Sequence, residues 1–499
     1  MTIKKLLIVG GGTSGWMTAA MLSKLTEQKI SISLVESDKI GTIGVGEATI
    51  PAIKRFNQLL GINEAEFMSA TQGTFKLGIQ FQNWGALGES YLHGFGKIGR
   101  QWDWLSFYQY WLRLNGCNNV SHLDNFSINT QMALRHKFSQ PQLDRPQSPL
   151  SEIAYAYHFD AGLYGQYLKT LALKQGVNHI EGTIVSVNQH LDNQHIASVK
   201  LDNGRELDAD LFIDCSGMSG LLIEQCLNTG FEDWNHWLPC DSAMAIATKK
   251  DPDLPPCTRS RAHDAGWQWK IPLQHRTGNG HVYSSNFTTR EQAQTTLFEH
   301  LDTQPLGDIN HIRFRTGKRR KSWNKNCVAI GLSAGFLEPL ESTSLYLIQT
   351  AILRLVKLFP DDNFLQANID EFNRETDFEM EKIRDFIIAH YKVTRRDDSE
   401  FWRYNQHMDI PDSLADKLEM FSAYGRVHRN ADELFREESW VQVLIGQGLK
   451  PQFADPLLKL KSQKEITMFV NDTEQVIKNN VDNLPSHKEF ISQYCRSAL

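Results

Sequence analysis

The chain begins with a strand, a glycine-rich turn, a helix and a second strand, and this βαβ pattern constrains the fold more than any other feature. Residues 6–9 are a continuous apolar run, as in a parallel strand that is covered on both faces. The turn GGGTSG at residues 10–15 follows directly, apolar residues then recur at helical spacing, and residues 30–35 have the pattern of a second strand. The pattern predicts an open, doubly wound α/β sheet.

Each part of the turn suits the binding of a dinucleotide. Gly10 allows the tight turn, Gly12 lets a pyrophosphate approach the backbone, and Gly15 permits close packing of helix on strand. The N–H groups and the dipole of the helix that follows attract phosphates, and Thr13 in the turn is a further expected cofactor contact. Glu36 follows about 20 residues after Gly15, where a carboxylate can accept hydrogen bonds from ribose hydroxyls.

Two later segments favour FAD over NAD. Residues 211–213 form an apolar strand followed by a turn, and residues 328–331 form a third strand that leads through a glycine-rich loop into a helix. A sheet that the chain revisits after long insertions looks like the large FAD-binding fold of glutathione reductase and aromatic hydroxylase type, with mixed α/β and α+β character. We find no second βαβ nucleotide-binding unit in the sequence, so we expect another protein to reduce the flavin.

The rest of the chain changes from β-rich to helical patterns. Alternating β-branched residues at 184–187 and 196–201 predict strands in the middle, and apolar residues at helical spacing after residue 343 predict a helical C-terminal region. We therefore expect an FAD-binding module at residues 1–355 with inserted β-rich and loop segments. A helical substrate-covering region is expected at residues 356–499.

Composition argues against several classes of protein. The 52 Lys and Arg residues against 58 Asp and Glu give a net charge of -6, which favours neither nucleic acid nor an anionic membrane. Seven cysteines without a CxxC pair argue against a disulfide framework and a zinc site. No run of about 18 apolar residues occurs. We expect a cytoplasmic protein without a resident metal, a nucleic-acid partner or a membrane span.

A lysine lies in an alternating segment. In TFKLGIQFQNW, residues 74–84, four apolar side chains fall on one face and Lys76 on the other. Spacing alone favours a solvated lysine on a single strand, because Lys is almost never fully buried.

The segment GLSAGFLEPLESTSL, residues 331–345, predicts a strand end, a glycine-rich loop and a helix start. Free N–H groups at such a start attract anions. On local grounds an ordinary helix entry is favoured, with Ser342 or Thr343 as N-cap and Glu341 near the positive end of the helix dipole.

The glycine turn, the lysine segment and the segment around Glu341 occur together in one family. Over residues 1 to about 450 the chain resembles the flavin-dependent halogenases, typified by the tryptophan halogenases. A further shared motif, WQWKIP, alternates two tryptophans and an isoleucine along one face, which by itself predicts a buried strand face. The motifs that carry the resemblance are GGGTSGWM at 10–17, GVGEATIP at 44–51, FKLG at 75–78, WQWKIP at 267–272 and GFLEPLESTS at 335–344.

The resemblance implies a reaction and the residues that perform it. In the family, reduced FAD, oxygen and chloride or bromide yield hypohalous acid, which travels through an internal passage to a catalytic lysine. Lys76 matches that lysine, and Glu341 matches the glutamate that faces it across the substrate. Thr343 and Ser344 match the positions whose N–H groups hold the halide, although Ser344 replaces a glycine common among enzymes that act on free tryptophan.

The resemblance also implies the residues that contact substrate and cofactor. His93 and Phe95 match the aromatic platform for the substrate, while an ordinary core role stays open for both. No tyrosine pair aligns at residues 435–443, so indole, a peptide-bound or carrier-bound residue, or another electron-rich arene stays open beside tryptophan. Further cofactor contacts are expected at Lys39, Glu47, Ala48, Val185, Leu332 and Leu345. A separate flavin reductase is the expected partner, and a homodimer is also considered.

Two other functions compete with halogenation. An aromatic hydroxylase would typically carry a Gly-Asp pair where this chain has Gly331 and Leu332, and would accept NAD(P)H itself. A flavin-binding regulatory or structural protein with a decayed site is disfavoured because both Lys76 and Glu341 are present.

Overall fold

The computed structural model describes residues 3–39, 46–115 and 120–497, and the chain forms two compact units that are each assembled from three stretches. The first unit comprises Met1–Gly73, Phe159–Asp241 and Arg313–Met380, and the second comprises Thr74–His158, Ser242–Ile312 and Glu381–Leu499. Gly44 and Val45 of the GVGEATIP motif and Cys117 lie outside the described residues. The functional boundary at residue 355 stays a prediction.

A six-stranded sheet forms the centre of the first unit. The opening strand Lys5–Val9 lies between Ser31–Glu36 and Leu211–Asp214 and is parallel to both. The strand order is Trp323–Asn324, Cys327–Ala329, Leu211–Asp214, Lys5–Val9, Ser31–Glu36, Asn178–Glu181. The two later strands expected to rejoin this sheet do so, and the predicted doubly wound FAD-binding fold is confirmed.

Smaller elements complete the first unit. One antiparallel sheet contains Ile184–Gln189, Ile196–Leu201 and Glu206–Asp208, and another contains Phe231–Asp233, Gly317–Arg319 and Gly335–Phe336. A short strand covers Glu47–Ala48. The helices are Thr13–Thr26, Ala52–Leu60, Glu64–Ala70, Ala161–Lys174 and Ser344–Lys357, with shorter turns at Gly217–Ser219, Leu221–Cys226, Gly331–Ser333 and Pro339–Glu341.

A seven-stranded sheet forms the centre of the second unit. Its order is Pro305–Arg313, Ser242–Lys249, Arg276–Tyr283, Gly266–Pro272, Thr258–His263, Gly78–Gln82, Ser90–Gly94. Its helices are Phe107–Asn115, Ile128–Leu134, Arg290–Glu299, Glu400–His407, Asp412–Tyr424, Glu437–Gly446, Gln463–Asp482 and His487–Tyr494, with shorter turns at Leu123–Phe126, Pro149–Glu152 and Pro456–Leu460. Helix Gln366–Lys392 connects the last stretches of the two units along the chain. The β-rich middle and helical C-terminal region agree with the prediction.

The single strand predicted for residues 74–84 is instead two strands. Thr74–Lys76 pairs antiparallel with Ala156–Phe159, whereas Gly78–Gln82 joins the large sheet. The change occurs at Leu77, whose N–H donates to Pro256 O at 2.7 Å and whose carbonyl accepts from Phe95 N at 2.8 Å. Pro256 and Phe95 adjoin the two strands that pair with Gly78–Gln82, so the backbone of Leu77 already belongs to the large sheet, whereas Lys76 still pairs with Ala156. A continuous alternating pattern therefore does not give one strand.

No helix among the described residues is long and apolar enough to cross a membrane.

Candidate active site and cofactor cradle

The glycine turn has the geometry that a pyrophosphate requires. Gly10 has φ +110°, and a Cβ built on it would lie 2.3 Å from Cys215 O, so only glycine fits. At Gly12, by contrast, a built Cβ would have no atom of the described residues within 4 Å. The turn is therefore tight against the protein at one end and open in front of the helix Thr13–Thr26, whose first N–H groups lack intrahelical acceptors.

Glu36 ends the second parallel strand beside this turn. Its Oε1 accepts a hydrogen bond from Lys169 Nζ at 2.7 Å and lies 2.8 Å from His179 Nε2. Its Oε2 would lie 1.5 Å from a Cβ on Gly11, so the carboxylate is directed at the turn. The sequence did not predict these two partners, because tertiary contacts bring them to Glu36: strand Asn178–Glu181 pairs with the Glu36 strand, and helix Ala161–Lys174, which carries Lys169, packs on helix Thr13–Thr26.

The end of the third strand reaches the same helix start. A Cβ on Gly331 would lie 2.8 Å from Ser14 Cβ, which places the turn with Leu332 against the first turn of helix Thr13–Thr26. Leu345 is buried in the first turn of helix Ser344–Lys357. The contacts of Leu332 and Leu345 with a cofactor stay predictions.

The other expected cofactor residues, Lys39, Val185, Glu47 and Ala48, lie outside the glycine turn. Lys39 Nζ is 3.1 Å from Asp202 Oδ2, and Val185 is an exposed residue of strand Ile184–Gln189. Glu47 and Ala48 form a short, partly buried strand, and burial raises the pKa of Glu47 to about 7. Their contacts with a cofactor stay predictions.

The open turn, the helix start behind it and the directed Glu36 carboxylate together fit a dinucleotide such as FAD. A nucleotide needs backbone N–H groups for its phosphates and an acceptor for its ribose, and both are present in the first unit.

The entry to helix Ser344–Lys357 is not the ordinary cap that local sequence favours. Glu341 is 1% exposed, and Ser342 has the left-handed values φ +60° and ψ +37°. Thr343 occupies the N-cap position but makes no side-chain cap bond, and its buried Oγ1 has no hydrogen-bond partner among residues 3–39, 46–115 and 120–497. This hydroxyl and the first-turn N–H groups can therefore donate hydrogen bonds to a small anion.

Lys76 is fully buried, at 0% exposure, so the interpretation as a solvated strand lysine is wrong. Pairing of Thr74–Lys76 with Ala156–Phe159 encloses it, and its ammonium lies 5.3 Å from the centre of the Phe95 ring. Nearby, burial and secondarily the Lys76 charge hold the pKa of His158 well below its usual range. The neutral His158 ring contacts the hydroxyls of Thr74 and Thr258 at 3.0 and 2.9 Å.

His93 belongs to an aromatic cluster of the second unit. Its ring is 5.8 Å from Phe386 and 6.3 Å from Phe435, and those two phenylalanines stack at 3.8 Å. Trp440 meets Phe386 edge-on at 4.7 Å. Both His93 and Phe95 are buried, so their contact with a substrate stays a prediction.

The WQWKIP segment forms strand Gly266–Pro272, and the predicted buried face of Trp267, Trp269 and the isoleucine is confirmed. On the other face, Lys270 forms ion pairs with Asp251 and, at 2.6 Å, with Asp302. Lys270 thus joins two loops.

Six described cysteines are free thiols, and no group of three or more His, Cys, Asp or Glu among the described residues could hold a metal ion.

Comparison with known proteins gives consistent matches along the chain. The sequence matches the family described as tryptophan halogenase over residues 5–463. It is 36% identical to tryptophan 7-halogenase RebH from Lentzea aerocolonigenes and 35% identical to tryptophan 6-halogenase ThaL from Streptomyces albogriseolus, in each case over 98% of both chains. Among solved structures, Xcc4156, a flavin-dependent halogenase from Xanthomonas campestris, has a TM-score of 0.96 at 42% identity and covers 100% of this chain and 99% of its own. BrvH, a flavin-dependent halogenase from Brevundimonas sp. BAL3, has a TM-score of 0.95 at 43% identity, with 98% and 99% covered.

Proposed function

Since the chain belongs to the tryptophan halogenase family, we propose that it halogenates an electron-rich arene through Lys76 and Glu341. As a flavin-dependent halogenase it uses reduced FAD with chloride or bromide and depends on a separate flavin reductase, as the resemblance implied. The residue roles and the substrate are the proposed part.

The buried position of Lys76 is the observation that carries the proposal. Lys76 is 0% exposed, and its ammonium faces the Phe95 ring. Because burial disfavours a charged amine, a lysine in this position favours a functional role. An amine or ammonium in a dry site can capture or polarise an electrophilic halogen and keep it from water. Lys76 would hold hypohalous acid; as the ring carbon bonds to the halogen, the halogen–oxygen bond breaks and the oxygen leaves as water with a proton from the ammonium.

Glu341 would remove the proton that the halogenated ring carbon must lose. The carboxylate is almost completely buried, and it would also stabilise the positive charge that develops on the ring. The two neighbouring residues would hold the halide: Thr343 through its buried hydroxyl and N–H, and Ser344 through its N–H.

The first unit would bind the flavin through its backbone and through Glu36. Gly10, Gly12, Thr13 and Gly15 would face the pyrophosphate, and the remaining contacts would come from the expected residues Lys39, Glu47, Ala48, Val185, Leu332 and Leu345. When bound, the reduced flavin supplies the electrons with which oxygen is activated to oxidise the halide.

The proposed substrate is an indole-type arene, either indole itself or a tryptophan side chain, with His93 and Phe95 as its platform. The aromatic rings around His93 support this proposal, because they suit a flat, apolar substrate. The lack of an alignable tyrosine pair at residues 435–443 supports an arene whose amino-acid group is not gripped there.

The cellular setting is also proposed. Free thiols in the described residues support a reducing compartment such as the cytoplasm, and the net charge of -6 supports an enzyme without a nucleic-acid partner. A homodimer stays a prediction that light scattering of the purified protein would test.

One assay tests the proposed function. The protein is incubated with FAD, a flavin reductase, NADH, oxygen and bromide against tryptophan, indole and phenols, and products are identified by mass. Bromoarene that requires the reductase and bromide is the expected result. Oxidation of NADH without the reductase, together with a phenolic product, would instead establish a hydroxylase.

A further inference from the structure

The predicted platform residues His93 and Phe95 lie at the edge of the large sheet, where the side chain of Gln442 binds the backbone between them. Strand Ser90–Gly94 is the last strand of the seven, so within the described part of the chain its outer N–H and C=O groups have no neighbouring strand. Gly94, between His93 and Phe95, ends that strand. The neighbouring strand holds the backbone of His93 and Phe95 on the inner side, and a bond to Gly94 on the outer side holds the peptide groups between these two aromatic residues.

Gln442 binds both backbone groups of Gly94. Its Oε1 accepts from Gly94 N at 2.9 Å, and its Nε2 donates to Gly94 O at 3.1 Å. The second amide hydrogen is directed to Glu438 O, also at 3.1 Å, on the same helix Glu437–Gly446. The side-chain amide thus reproduces the pair of bonds that a further strand would have made.

The surroundings leave Gly94 little freedom to move. A Cβ on Gly94 would lie 2.5 Å from Thr130 Oγ1, and a Cβ on Gly446 would lie 2.4 Å from the Tyr91 ring, so helices pack closely on the strand. Gln442 itself is 6% exposed. A buried amide whose oxygen and both amide hydrogens are hydrogen-bonded orients its partners strongly, since breaking one bond leaves buried polar groups unpaired.

We infer that Gln442 is a positioning residue that fixes the arene platform by clamping Gly94. The inference rests on the proposed function, because His93 and Phe95 are the proposed platform. Gln442 acts through the backbone, so the variants below change arene affinity and the ring position that is attacked, while the formation of hypohalous acid stays unchanged.

Three variants test the clamp. Gln442→Met keeps the size of the side chain and removes both bonds to Gly94. In Gln442→Glu we expect burial to raise the pKa of the new carboxyl. Its protonated form can make both bonds to Gly94, and its ionised form can only accept the one from Gly94 N. Gln447→Met is the matched control: Gln447 is also fully buried just beyond this helix, but its amide has no hydrogen-bond partner among the described residues.

For Gln442→Met we expect the KM for indole to rise about tenfold, with kcat within about threefold and an altered ratio of bromoindole isomers. For Gln442→Glu we expect a nearly normal KM at pH 6 that rises by pH 9 relative to the wild type. Hypohalous acid, trapped with monochlorodimedone, forms at the wild-type rate in all three variants, and Gln447→Met leaves KM and isomer ratio unchanged.

An unchanged KM and isomer ratio in Gln442→Met would overturn the inference. If that variant does not fold, the pH dependence of Gln442→Glu decides, because one protein is compared with itself. The dissociation constant for indole, measured by calorimetry without turnover, separates the two proposals. Wild-type protein that binds indole but halogenates nothing would refute the proposed function. The dissociation constants of the variants would still test whether Gln442 positions the platform.

Discussion

The two compact units hold their proposed functional groups in different ways. In the first unit the cofactor cradle is made mainly of backbone: a glycine turn, an open position at Gly12 and the N-termini of two helices. In the second unit the proposed groups are side chains, above all Lys76, that become special only because strand pairing buries them. Backbone sites depend on local conformation, whereas the side-chain sites depend on distant segments.

The largest expected effect concerns the second unit. Lys76→Met keeps an apolar chain of similar length in a buried position, so we expect the fold and FAD affinity to persist while halogenation falls about a thousandfold or more. Product formation by mass and flavin binding by fluorescence are the measurements. Product at more than a tenth of the wild-type rate would remove Lys76 from the mechanism.

Glu341 supplies the strongest side-chain prediction for the first unit. Glu341→Gln preserves shape and removes the base, so kcat is expected to fall about a hundredfold while the rate of hypohalous acid formation stays normal. Single-turnover kinetics with a deuterated indole would check whether proton removal has become rate-limiting. A simultaneous loss of flavin binding would show instead that Glu341 is structural.

The backbone character of the cradle can be challenged at Gly12. Gly12→Ala adds a methyl group where the protein has open space, so the melting temperature should hardly change while FAD binds about thirtyfold more weakly, because the pyrophosphate must retreat. Gly165→Ala, in helix Ala161–Lys174, also enters open space and should leave FAD affinity unchanged. Equal FAD affinity of both variants would contradict the cradle.

Titration of Glu47 gives a prediction for the unliganded protein. Burial raises the pKa of Glu47 in the folded protein to about 7 from its usual value near 4.5, so its stabilising contribution is complete below about pH 4.5 and is lost as the pH rises through 7. Between pH 5 and pH 8, we expect the free energy of unfolding of the wild type to fall by about 2 kcal/mol more than that of Glu47→Gln. Urea unfolding at both pH values measures the difference, and parallel pH curves would refute it.

The smallest effect is expected at Thr343. Thr343→Val keeps the shape and removes a buried hydroxyl that has no protein partner in the described residues, so stability should hold or rise. If the hydroxyl helps to hold halide, the KM for bromide rises about fivefold, since the N–H groups remain. An unchanged KM would leave the backbone as the whole halide site.

The sequence by itself determined the cofactor unit and the family. Gly10 to Glu36 has a pattern whose geometry is local, because turn, helix start and strand follow one another within a few tens of residues. The co-occurrence of FKLG, WQWKIP and the segment around Glu341 then indicated flavin-dependent halogenation, which the comparisons confirm.

Only the tertiary structure decided how the side chains are placed. Alternation predicted a solvated Lys76 on one strand, but the chain changes sheets at Leu77 and encloses the lysine. Capping rules predicted an ordinary entry at Thr343, but its hydroxyl makes no cap bond. The bonds of Glu36 with Lys169 and of Gly94 with Gln442 join residues 133 and 348 positions apart. Burial and long-range hydrogen bonds depend on which distant segments meet, and no local pattern of residues records that.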